Sequence, residues 1–141
     1  MFKKILMVFG VLVALALLIQ LVPYGRNHTN PPVVAEPNWD SAETKALYDR
    51  ACADCHSNDT VWPWYSNIAP VSWLVQRDVE EGRRHLNTSV WGTQRIETGE
   101  IGEVILEGEM PPQVFLITHP EARLTKAEKQ ALAQGLLASF R

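Results

Sequence analysis

Cysteine is scarce: the 141 residues contain two, Cys52 and Cys55. A bridge closing so short a loop cannot staple a fold, so the chain depends on a hydrophobic core. Its length suffices for one domain and not for two comfortable ones. Clustered bases are missing as well. Lys3, Lys4 and Arg26 surround the first apolar run; the remainder carries 10 basic against 16 acidic residues, a formal −6. Such a domain excludes nucleic acid as a partner and argues against adhesion to an anionic lipid surface, since both need clustered Lys and Arg. No strand-like alternation, internal repeat or low-complexity tract interrupts the chain. Tryptophan, by contrast, is abundant: five in so short a chain are expected to line a core or a bound group.

Ile5 to Val22 is apolar apart from Gln20, a run of about 18 residues and near the minimum for a membrane span. Lys3 and Lys4 before it place the N-terminus in the cytoplasm and the rest outside. A cleaved signal peptide is the competing reading. Its apolar core would be shorter, and it would be followed closely by small residues. Leu21, Val22, Pro23 and Tyr24 follow instead. The chain therefore divides into a membrane anchor or signal segment at 1–24, a linker at 25–39 and a folded domain at 40–141. Pro31, Pro32 and Pro37 stiffen the linker and are expected to hold the domain off the membrane.

Within the domain, Asp40 and Glu43 form a D-x-x-E capping pattern that starts a helix running into Cys52, with Leu47, Tyr48 and Ala51 on one face. Asn58 to Pro70 reads as an irregular aromatic loop. Pro70 suits a first helical position, and Val71, Leu74, Val75 and Val79 continue at helical spacing. Arg77, Asp78, Glu80, Glu81 and Arg83 read as the solvated face of that helix. A shorter helix covers roughly Glu100 to Glu107, ended by Gly108. Thr125 and Glu128 form a second capping box, followed by Leu132, Leu136 and Phe140 at i, i+4, i+8. The fold class is all-α: a small domain of four or so helices after an N-terminal transmembrane helix.

The chemistry lies in Cys52-Ala53-Asp54-Cys55-His56. C-x-x-C-H is the attachment signature of haem c. Two thiols add across the two vinyl groups, and a two-residue gap at a helix end sets the sulfurs at the vinyl spacing. The next residue then lies under the ring, where its imidazole can ligate iron. A thioredoxin-type site would want a βαβ setting, which the pattern lacks. A zinc site needs a fourth ligand, His85 or His119, beside three residues in awkward succession. The expected cofactor is one covalently bound haem c, held by Cys52, Cys55 and His56.

For the sixth iron position the candidates are Met110, His85, His119 and His28. His28 falls in the linker, where exposure to solvent is expected. His119 precedes Pro120 in a turn, and His85 sits near a helix end, where a cation suits the dipole. Met110 is the sole Met of the soluble part and lies in Gly108-Glu109-Met110-Pro111-Pro112, whose prolines lower the entropy lost on fixing a ligand. It is the expected distal ligand, against the alternative of a Met filling a core gap.

These residues, with Trp62-Pro63-Trp64-Tyr65-Ser66, Pro70-Val71-Ser72-Trp73-Leu74 and His119-Pro120-Glu121-Ala122, resemble the cytochrome c-like family of bacterial haem-binding domain proteins. The resemblance covers roughly Asp40 to the C-terminus. It implies a cytochrome c-like helical fold, one haem, His56 as proximal ligand and Met110 as distal ligand. Trp62, Trp64 and Tyr65 either wall the haem or pack a core. Arg77, Arg83 and Arg84 either pair with propionates or lie on a solvated face.

Two protein ligands leave no open coordination site, so electron transfer is the expected function, on the outer side of a bacterial inner membrane. The acidic domain would meet a redox partner with a basic docking surface. A haem-based sensor or binding module, in which Met110 leaves the iron, is the alternative. An enzyme is not expected: there is no second haem motif, and His85 with Arg84 is a weak stand-in for a distal His–Arg pair.

Overall fold

The computed structural model describes residues 1–141. It is all-helical, with no β-strand. Helix α1, Phe2–Ile19, buries none of its residues and is long and apolar enough to cross a membrane. The domain then contains α2 (Ala42–Ala51), α3 (Ala53–His56), α4 (Val71–His85), α5 (Thr98–Glu107), α6 (Gln113–Thr118) and α7 (Lys126–Ser139). Two 3₁₀ turns, at Trp64–Asn67 and Pro120–Ala122, complete it.

The expected count of four or so helices becomes six because α3 and α6 span only four and six residues. Helices that short leave no periodic signature in a sequence. Helix α2 is capped one residue later than expected. Ser41 Oγ accepts from Thr44 N at 3.1 Å. Asp40 is turned to the other end of the domain, where its N–H donates to Ser139 Oγ at 3.0 Å. The capping box at α7 forms as expected, with Thr125 and Glu128 bonding reciprocally.

Leu47, Tyr48, Ile105, Leu132, Leu136 and Phe140 form the buried core, so α2, α5 and α7 meet there. Trp39 and Trp91 tilt against Phe140, with ring centroids 6.2 and 4.5 Å away. The α2–α7 crossing is close enough to require glycine: a Cβ on Gly135 would fall 2.0 Å from Thr44 Oγ1. Leu137, beside the periodic series, is exposed.

Residues 25–39 are bonded to the domain rather than free of it. Val34 N and Ala35 N donate to Ser89 O, and Trp91 N donates to Ala35 O. Asn58 Nδ2 reaches Pro32 O at 3.0 Å. His28 is half-buried, not solvent-exposed: it stacks on Trp62 with centroids 4.6 Å apart, and its Nε2 meets Ser66 O at 3.1 Å.

Candidate haem site

Helix α2 breaks at Cys52, whose φ of −129° and ψ of −34° leave the helical well. The single turn of α3 carries Cys55 and His56, closed by Cys55 N and His56 N donating to Cys52 O at 3.2 and 3.0 Å. Both cysteines are free thiols and half-buried. Desolvation comes first among the causes that push each thiol up to about 12. Reactive redox dithiols have their thiolates stabilised, the opposite of the direction burial imposes here. No three His, Cys, Asp or Glu side chains are grouped as the ligands of a bare metal ion would be.

His56 is fixed at both ends. Its carbonyl accepts from Tyr48 Oη at 2.8 Å and from Thr88 N at 2.9 Å. Its Nδ1 lies 3.1 Å from Leu86 O. A carbonyl can only accept, so Nδ1 carries the hydrogen and Nε2 keeps its lone pair, as a metal-ligating imidazole requires. Burial lowers the imidazole pKa, against the opposing pull of the Leu86 and Gly82 carbonyls, so the neutral form is favoured.

Helix α4 seats this turn through Gly82. A Cβ there would lie 2.3 Å from Cys55 O and 2.9 Å from Cys55 Cβ. The two backbones touch, and only hydrogen fits between them. Arg83, next along, corrects a sequence-based expectation: it lies not on a solvated face but against the turn that follows His56. Its guanidinium donates to Ser57 O, Thr29 O, Asn30 Oδ1 and Thr60 Oγ1 at 2.8 to 3.0 Å, lacing the 25–39 segment to the loop after His56. Arg77 and Arg84 do pair with Glu81 on the exposed face.

Opposite the motif, α5 stops at Gly108, whose φ of +84° suits glycine. Glu109 N and Met110 N both donate to Val104 O, at 2.9 and 3.1 Å. This turns the Met110–Pro112 loop back over Cys52, Cys55 and His56. Two adjoining cavities of about 380 Å³ each lie there, and both are bordered by Cys52, His56, His85 and Met110. Ile101, Val104, Ile105 and Leu136 make the far wall apolar, while Arg84 and Arg95 border the same cavity. The lining suits a flat, largely apolar ring: two thiols, an imidazole and a thioether border the same space, together with cations that suit acidic substituents. Met110 is 38% exposed. His85 borders both cavities as well, so it stays a competitor for the distal position.

The remaining candidates fall elsewhere. His119 stacks on Phe115, centroids 3.9 Å apart, and borders a third cavity of about 300 Å³, which shares Asp54, Cys55, Asp78 and Phe115 with one of the other two. Tyr65 lines that cavity, whereas Trp64 is exposed and Trp62 packs on His28. Gly82 and the Leu86 carbonyl were not singled out in the sequence. Gly82 had a signal, a lone glycine inside a helical run, which often marks close backbone approach. The Leu86 carbonyl had none, because any residue supplies one.

No curated protein and no solved structure matches the chain. The family model described as a haem-binding domain matches residues 14–138, reaching well upstream of the stretch that the sequence motifs cover. The chain therefore belongs to the haem-binding domain family, and its ligand is haem.

Proposed function

We propose that this protein is a membrane-anchored, monohaem c-type cytochrome that carries electrons on the outer side of a bacterial inner membrane. The observation that carries the reading is the convergence of Cys52, Cys55, His56 and Met110 on one cavity, with His56 Nδ1 occupied by Leu86 O and Nε2 left for a metal. When bound, the haem supplies a one-electron redox couple. Cys52 and Cys55 would hold it as thioethers, His56 would ligate it from the motif side and Met110 from the loop. Arg84 and Arg95 border the cavity and, released from Glu81 and Glu97, would be the cations to meet its propionates. Two protein ligands would leave no site for a substrate, which supports a carrier over an enzyme.

Lys3 and Lys4, in the first turn of α1, orient the N-terminus inward and the domain outward. The formal −6 of the chain after Arg26 favours a redox partner with a basic docking face. The test is the coordination state of the purified, oxidised, full-length protein together with the fate of its haem on denaturation. A six-coordinate His/Met spectrum with haem that stays on the denatured polypeptide is expected. Cys52→Ala combined with Cys55→Ala should release it. A five-coordinate iron would favour a sensor or an enzyme instead, and haem retained covalently without both thiols would overturn the attachment.

A further inference from the structure

Residues 60–76, the longest such run in the domain, and residues 110–118 carry no charge. The fold brings them together: Tyr65 Oη donates to Thr118 Oγ1 at 2.9 Å, and Val61, Leu74 and Val114 border one cavity. Around them lies a surface of large apolar side chains in solvent, including Trp64 at 77%, Ile117 at 73% and Ile68 at 47% exposure. Large apolar side chains left in solvent on two uncharged segments that bond to each other point to an interaction site.

The end of α1 says what covers it. Helix α1 has 18 residues and Gln20 as its C-cap; at 1.5 Å each it is about 27 Å long, and with Lys3 and Lys4 of its first turn at the inner headgroup level, Gln20 falls near the outer edge of the hydrocarbon core. Gln20 is locked to the patch. Its Nε2 donates to Ala69 O at 2.9 Å and its Oε1 accepts from Ala69 N at 3.0 Å. Arg26 Nη2 also reaches Gln20 Oε1, at 3.3 Å. Gly25 adds a second clamp: with φ of +80°, it sits so close to α4 that a Cβ would lie 2.3 Å from Ser72 O. Ala69 is thereby held at the depth of Gln20, and Trp64, Ile68 and Leu74 flank it in the chain.

We propose that the uncharged face formed by residues 61–74 and α6 seats in the outer boundary of the bilayer that α1 crosses, so that the domain lies on the membrane rather than hanging from a tether. This rests on the anchor reading above. The contact is apolar, with an exposed Trp suited to the headgroup level, so it requires no anionic lipid and is compatible with an acidic domain. The cavity rimmed by this face also touches Cys55 and His119, so the seat turns that side of the haem-attachment turn toward the bilayer.

The test uses full-length, haem-loaded protein in phosphatidylcholine vesicles doped with a lipid that carries a photoreactive diazirine near its headgroup. Adducts are mapped by mass spectrometry. Adducts are expected on α1 and on Trp64, Ile68, Leu74 and Ile117, with a several-fold lower yield at Val34 and Leu106, which are exposed elsewhere. Phosphatidylglycerol vesicles should give the same map. Ile68→Asp with Ile117→Asp, both at exposed positions away from the cavity that touches Cys55, should keep the haem and the α1 adducts while removing those on the face. Adducts on α1 alone would overturn the seat and leave the anchor standing. No adducts on α1 would overturn the anchor itself. A face that stays free of lipid adducts but becomes protected as protein concentration rises would assign it to a second copy of the chain.

Discussion

At the scale of single residues, the site depends on contacts of two kinds. Met110 is expected to act through its sulfur, a soft neutral ligand that favours ferrous over ferric iron. Met110→Ala should therefore lower the reduction potential and abolish the far-red sulfur-to-iron charge-transfer band, with haem content unchanged because the thioethers are untouched. His85 borders the same cavities, so His85→Ala is the matched control and should leave the band in place. The reverse pattern would transfer the distal role to His85. Gly82 acts by what it lacks. Gly82→Ala would drive a methyl into the Cys55 backbone, and overpacking of this sort costs about 1–3 kcal/mol. A lower melting temperature and a smaller fraction of chains with covalent haem should follow; unchanged values would show that α4 can shift freely. Cys52, Cys55, His56 and Met110 stand out in the sequence because their chemistry is carried by residue type and spacing, and the fold brings the four to one cavity. The Leu86 carbonyl that sets the His56 tautomer was not, because a backbone acceptor has no identity in a sequence.

Among the helices, legibility followed length. The strong period of Leu132, Leu136 and Phe140 and the T-x-x-E box gave α7 directly, and all three side chains are buried. Helix α6 is six residues between prolines and a histidine, too short for a period to emerge. The cap of α2 was misplaced by one residue because Asp40 and Ser41 are both good caps; the choice was made by Ser139, 99 positions away. The α7 cap also gives a pH dependence. The Thr125 backbone N–H, then Arg50, lower the Glu128 carboxyl from 4.5 to about 2. A carboxyl depressed in the folded state adds stability that is complete above its unfolded pKa and is lost as pH falls through the folded value. The gap in melting temperature between the native chain and Glu128→Ala should thus be full at pH 6 and close progressively from about pH 4.5 toward 2. A gap independent of pH over that window would mean that the carboxylate is not what caps the helix.

For the molecule as a whole, the 25–39 segment is where sequence and structure part most. Its Asn and Pro residues read as a spacer, and composition alone cannot tell an extended spacer from an extended strap. What decides is the set of partners waiting in the domain. Arg83 spends two of its four bonds on Thr29 and Asn30, Trp62 stacks on His28 while its Nε1 donates to Asn30 Oδ1, and the backbone at Val34 and Ala35 pairs with Ser89. These groups lie next to the His56 turn, since Arg83 also holds Ser57 O. Removing the strap would leave a half-buried guanidinium and several backbone groups without partners, and each such loss costs about 1–3 kcal/mol less whatever water restores. Two truncations separate spacer from strap: one beginning at Tyr24, the other at Glu36. Loaded with haem, the longer domain should melt several degrees higher, since about 1 kcal/mol moves a domain of this size by roughly 4–8 °C. It should also protect the amides of residues 57–60 from hydrogen exchange more strongly. If the two domains melt together and exchange alike, residues 24–35 are a spacer after all, and the domain owes nothing to the chain that ties it to α1.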